Sequence, residues 1–166
     1  MDKLQVVVMC IGTMKVVGDS VGPRVGDILK ADGIDCYVYG DSVGNINACK
    51  LDVYEQLLRA CHAGDIVIAV DAALGDKDDV GKIKVVGNGL RPGKALGRSG
   101  NPIGDIGVLA VVGERSEDNF ATLASGSVRF IETMAEKAAA TVHALVRYIG
   151  AQAASAGISY KAVATP

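Results

Sequence analysis

The chain has 166 residues, 49% of them hydrophobic and only 4% aromatic, with 17 basic and 19 acidic side chains for a net charge of −2. That length suits one domain with a sizeable core, built here from Val, Ile, Leu and Ala. The near-neutral balance excludes a broad electrostatic footprint for nucleic acid or an anionic membrane surface, and no apolar stretch reaches the roughly 18 residues that a membrane span needs.

The first apolar run, Leu4 to Ile11, has no basic leader and no small-residue cleavage pattern, so it reads as a strand rather than a signal peptide and places the protein in the cytoplasm. Its core, Val6–Ile11, lacks polar alternation, as do Ile66–Val70 and Ile106–Val112. Runs of this kind are strands covered on both faces, as in a parallel sheet. After the first strand, Gly22 and Pro23 open a helix that runs to about Ala31, where Asp32-Gly33 breaks it. Cys36–Tyr39 reads as a second strand and Leu51 to about Ala60 as a second helix, ended near Gly64.

Lys82 to Val86 alternates charge with apolar residues, the pattern of an exposed edge strand. A glycine-rich loop follows with Arg91, Lys94 and Arg98. This basic stretch is open to two readings, a surface facing a peptide or a solvated edge. The last helix is the clearest element: Val128, Ile131, Ala135, Ala138, Val142, Leu145 and Ile149 form one apolar stripe. The alternation of strands and helices predicts an α/β fold, a three-layer, doubly wound domain with a mostly parallel sheet over residues 1–150. Residues 151–166 form a small, polar tail that is expected to fray.

In such a sheet, ligands bind beyond the carboxyl ends of the strands, where strand order reverses. The simplest order puts that reversal between the first and third strands. Asp19, in the loop leaving the first strand, and Asp71, ending Ile66–Val70, then meet at one crevice. Two close carboxylates share one proton, and their apparent pKa values split. The ionised member can activate water while the protonated one polarises a carbonyl or protonates a leaving amine. Structural roles compete with this reading: Asp19 can accept backbone N–H groups at the helix entry, and Asp71 can cap a following turn.

Other signals are weaker. Glycines 12, 18 and 22 fit neither nucleotide-binding pattern. The four cysteines (Cys10, Cys36, Cys49 and Cys61) are widely spaced, which argues for free thiols rather than a zinc site or a disulfide framework. His62 and His143 read as surface residues, and Asp76, Asp78 and Asp79 as a solvated turn. Asp41 and Asp105 are second-rank candidates for the rim of the site, and Lys82 and Lys84 for holding a substrate backbone by strand addition. No metal or cofactor is expected.

Five segments occur together in one order: Gly18-Asp19-Ser20-Val21-Gly22-Pro23, Ala69-Val70-Asp71-Ala72-Ala73-Leu74-Gly75, Val80-Gly81-Lys82-Ile83, Arg91-Pro92-Gly93 and Gly104-Asp105-Ile106. In this the chain resembles the sporulation proteins called YyaC, relatives of the spore germination protease, over roughly residues 4–149. The resemblance implies a phosphorylase/hydrolase-like fold and an aspartic-type catalytic pair at Asp19 and Asp71. It also implies small acid-soluble spore proteins as candidate substrates, in a spore-forming bacterium. The chain begins almost at its first strand, so a propeptide like that of germination protease zymogens is not expected.

More distantly, the chain is similar to the hydrogenase maturation endopeptidases, which bind nickel through two acidic residues and a histidine. No histidine lies between His62 and His143 here. The expected activity is therefore peptide-bond hydrolysis on a protein or peptide substrate. A non-catalytic sporulation binding protein and a nickel-dependent maturation peptidase are the alternatives, and a homo-oligomer is left open.

Overall fold

Apolar runs without polar alternation satisfy their backbone groups inside a sheet that is covered on both faces. The computed structural model describes residues 4–92 and 101–160. Five strands form one sheet: β1 (Val6–Cys10), β2 (Tyr37–Tyr39), β3 (Ile66–Gly75), β4 (Ile83–Gly87) and β5 (Ile106–Glu114), in the order β2-β1-β3-β5-β4. β1 pairs in parallel with β2 and β3, and β3 in parallel with β5. β4 is the antiparallel edge strand. The expected reversal of strand order does fall between β1 and β3.

Helices α1 (Val21–Ala31) and α4 (Val128–Ser155) cover one face. Val25 and Leu29 of α1 and Met134, Ala138 and Val142 of α4 join Val8, Ile68 and Val108 of the sheet in the main core. Each fully buried large aliphatic side chain contributes about 1.5–3 kcal/mol by leaving water. On the other face Met9, Ile11 and Ala69 pack with Ile46, Leu90 and Ile103, and α2 (Leu51–Cys61) adds Leu51, Tyr54 and Leu58. The described helices include none long and apolar enough to cross a membrane.

Three elements differ from the sequence reading. β3 does not end at Asp71 but continues to Gly75, because β5 continues beside it and supplies partners as far as Glu114. α4 runs on through Ser155, with Ala153 buried; Gly157, at φ +70°, ends it, and Ile158 N–H closes on Ala153 C=O. Beyond it Tyr160 bridges to Leu4, so residues 151–160 continue the fold rather than fray. A short helix, α3 (Asn119–Ala124), was not anticipated; Asp118 starts it by accepting the Ala121 N–H at 2.9 Å. Of the basic loop, Arg91 is described, while Lys94 and Arg98 lie outside the described residues.

Candidate active site

Two glycines deliver Asp19 to the end of the sheet. At Gly22 a Cβ would stand 1.9 Å from the Ile11 carbonyl oxygen, so only glycine lets the start of α1 approach the end of β1 this closely. Gly12 adopts φ +143°, and a Cβ there would stand 2.1 Å from the Asp19 carbonyl oxygen. The loop between them closes as a 3-10 turn, Gly18–Ser20. Thr13 N–H donates to Asp19 Oδ2 at 2.9 Å and to the Asp19 carbonyl at 3.2 Å. Asp19 thus braces its own loop; α1 begins without a side-chain cap.

Asp71 stands where β1 stops. Cys10 of β1 is level with Val70, and Asp71 is the next residue of β3, paired with Leu109 of β5. Its side chain is buried, with 6% of its surface exposed. Oδ1 accepts the Ala72 N–H at 2.8 Å, and the Asp71 side chain makes no other hydrogen bond among the described residues. Burial pushes its carboxyl well above the usual carboxylate range, and the neighbouring charge of Asp19 pushes it further.

Two cavities meet at these carboxylates. The larger, of about 600 Å³, extends over β3 toward the end of β4 and carries Arg91, Arg115 and Asn119. The smaller, of about 300 Å³, extends past the end of β1 and carries Thr13, Lys15, Cys49 and Phe120. Among the described residues the linings have three in common: Asp19, Asp71 and Leu123. Sequence reasoning missed Arg115, Asn119 and Cys49. Arg115 lies three residues past the apolar run Ile106–Val112 that reads as a strand, which was a usable signal; Cys49 offered none.

The remaining candidates lie elsewhere. Asp41 follows β2, pairs with Lys30 and accepts the Val43 N–H at 2.9 Å; these bonds hold its carboxyl below the usual range, outside the lining of either cavity. Asp105 precedes β5 at the amino-terminal end of the sheet, where its Oδ2 accepts the Val67 N–H at 2.8 Å. Lys82 and Lys84 converge on Asp79, which they hold well ionised. His62 is buried, contrary to expectation: its ring nitrogens meet Asp65 Oδ2 at 2.8 Å and the Tyr39 hydroxyl at 2.9 Å. His143 pairs with Asp32 at 3.0 Å.

A nickel-selective site calls for nitrogen donors. Both histidines are committed away from the two cavities, and among the described residues no three His, Cys, Asp or Glu side chains gather to hold a metal ion. The donor set around Asp19 and Asp71 does not fit nickel.

Comparison with known proteins matches residues 1–141 to a family model described as "Protein of unknown function (DUF1256)", and the chain belongs to that family. The Bacillus subtilis (strain 168) protein described as "Uncharacterized protein YyaC" is 33% identical over 108 residues, covering 64% of this chain and 53% of that protein. The chain therefore spans about half the length of this relative. Among solved structures, the [NiFe] hydrogenase maturation protease HycI from Thermococcus kodakarensis KOD1 aligns with TM-score 0.58 and 19% identity, over 87% of this chain and 94% of its own. The hydrogenase maturating endopeptidase HybD from E. coli aligns with TM-score 0.56 and 16% identity, over 89% and 94%. At these identities the likeness is one of fold.

Proposed function

We propose that this member of the DUF1256 family is an endopeptidase that hydrolyses peptide bonds with Asp19 and Asp71 as its catalytic residues. The observation that carries the reading is the junction: a buried carboxyl with raised proton affinity and a second carboxylate where two cavities meet. A bond held at that junction has room for chain on both sides, which suits cleavage within a polypeptide.

Burial keeps Asp71 protonated and Asp19 carries the negative charge of the pair. A water between substrate and Asp19 loses a proton to Asp19 as its oxygen bonds to the scissile carbonyl carbon. Asp71 gives its proton to the carbonyl oxygen at the same time. The tetrahedral intermediate collapses when the carbonyl re-forms and returns its proton to Asp71. The carbon–nitrogen bond breaks, and the leaving amine takes the proton held on Asp19. Both carboxyls end as they began, and no thiol or metal enters the cycle.

The resemblance to YyaC proteins and germination protease directs the choice of substrate to small acid-soluble spore proteins, acting in the cytoplasm of a spore-forming bacterium. Purified wild type, Asp19→Asn and Asp71→Asn proteins are incubated with these substrates and with an unfolded control protein, and fragments are read by mass spectrometry. Cleavage by wild type alone supports the proposal. Equal cleavage by all three removes the mechanism. Retained binding without cleavage by any of them makes the protein a non-catalytic regulator.

A further inference from the structure

The two edges of β3 are not equivalent. Asp105 N–H donates to Val67 C=O at 2.8 Å and Arg115 N–H to Gly75 C=O at 2.9 Å, so odd-numbered residues of β3 turn their backbone groups toward β5. Ile66 N–H donates to Gln5 C=O at 3.0 Å and Val70 C=O accepts from Ile11 N–H at 2.8 Å, so even-numbered residues turn toward β1. Pairing with β1 ends at Val70, whereas pairing with β5 continues to Gly75. Ala72 and Leu74 therefore aim their N–H and C=O groups at a side where, among the described residues, no strand lies.

Asp71 takes the Ala72 N–H. The Ala72 C=O and both backbone groups of Leu74 are turned away from β5 by this parity, and among the described residues no bond from a loop or turn backbone reaches them. Ala72, Ala73 and Leu74 all line the larger cavity, directly after Asp71. Unpaired groups on a strand edge are a template for another extended chain.

We propose that Ala72–Leu74 is the substrate-recognition edge, on which an extended peptide adds where β1 stops. Its backbone bonds to the Ala72 C=O and to the N–H and C=O of Leu74. Its scissile bond lies over Asp71, and an acidic side chain points to Arg115. The choice of occupant rests on the peptidase reading above. The outer edge of β4 is a poorer platform, because a chain added there lies three strand spacings from β3, about 14 Å. Arg115 pairs with Asp76 at 3.3 Å, but both side chains are largely exposed at 65% and 85%, so a substrate carboxylate displaces that partner at little cost.

The test separates binding from turnover. The Asp71→Asn protein keeps an oxygen for the Ala72 N–H and, on the mechanism above, does not cleave. It is titrated with blocked Ala/Val hexapeptides carrying one glutamate, or lysine in its place, while amide hydrogen exchange is followed by NMR. Saturation with the glutamate peptide should slow exchange at Leu74 by about tenfold or more and leave Ala69, already paired, unchanged. Lysine in place of glutamate, or Arg115→Ala in the protein, should weaken binding by about three- to tenfold. N-methylation along the peptide should abolish binding at every second position only, the period of a strand.

Binding without Leu74 protection, uniform sensitivity to N-methylation, or no binding at millimolar peptide overturns the proposal. Binding at Leu74 without cleavage by wild type leaves this edge standing and removes the peptidase reading. Cleavage by wild type with an unaffected Leu74 does the reverse.

Discussion

The charge on Asp19 raises the proton affinity of Asp71, a side chain already pushed toward its neutral form by burial. Asp19 is fixed by the Thr13 N–H, and Asp71 by the end of β1 and the Ala72 N–H, so neither carboxyl reaches the junction by chance of rotamer. Burial and the neighbouring charge act on Asp71 in the same direction, and both favour its neutral form.

Removing either carboxyl should abolish one of the two proton transfers. Asp19→Asn and Asp71→Asn should each lower kcat by about 10²–10⁴-fold. The double variant should be little worse than either single one, because groups acting as a unit are not additive. Steady-state cleavage assays on the three variants check both statements.

Asp71 should also leave a signature on stability. Its proton affinity is higher folded than unfolded, so its contribution is fully present below the unfolded pKa, about 3.9, and is lost as pH rises through the raised folded value. Asp71→Asn stays neutral at every pH. Relative to wild type its Tm should be higher by about 2 °C or more at pH 8, with the gap closing toward pH 4. Thermal melts across that range decide it, and a gap that widens toward acid contradicts the assignment.

Gly22 should tolerate no side chain. A Cβ there stands 1.9 Å from the Ile11 carbonyl oxygen, and backbone cannot yield as a side-chain tip can. Gly22→Ala should cost about 1–3 kcal/mol or more. Gly33→Ala meets nothing within 4 Å but must hold φ +63°, so its smaller loss is one of backbone strain alone. Urea denaturation of the two variants gives the comparison.

Thiol labelling should divide the cysteines into two pairs. Cys49 and Cys61 are exposed, whereas Cys10 and Cys36 are buried, and burial pushes the Cys36 thiol up to about 12 and Cys10 further. At pH 8 an aromatic disulfide reagent should modify two thiols quickly and the other two only on unfolding. Modification of Cys49 should also slow cleavage, because Cys49 lines the smaller cavity.

Much of this was legible in the chain because the signals are local. Val6–Ile11 and Ile66–Val70 announce buried strands by composition, and the chain-order rule for such sheets then brings the ends of β1 and β3 together. The length of β3 was not legible. Ala72, Ala73 and Gly75 are small residues with weak strand preference, held extended by β5 from a distant part of the chain. His62 was misread for a similar reason: its partners Tyr39 and Asp65 come from β2 and from the turn before β3, and only the fold closes them around it. Asp118 before Asn119 carried a capping signal for α3, but its six residues show too little periodicity to stand out.

Leu4 and Tyr160 bridge beside the starts of β1 and β3, with Leu4 N–H on Ser159 C=O at 3.0 Å, while the carboxyl pair sits at the sheet's other end. The described chain is thus nearly a closed ring whose seam faces away from its mouth. A short linker could join that seam covalently and new ends could be cut in an outer loop such as Ser42–Gly44, where Val43 is 94% exposed. Such a circularly permuted protein would keep the whole junction intact, and a fluorescent reporter spliced at the seam would not obstruct the entrance.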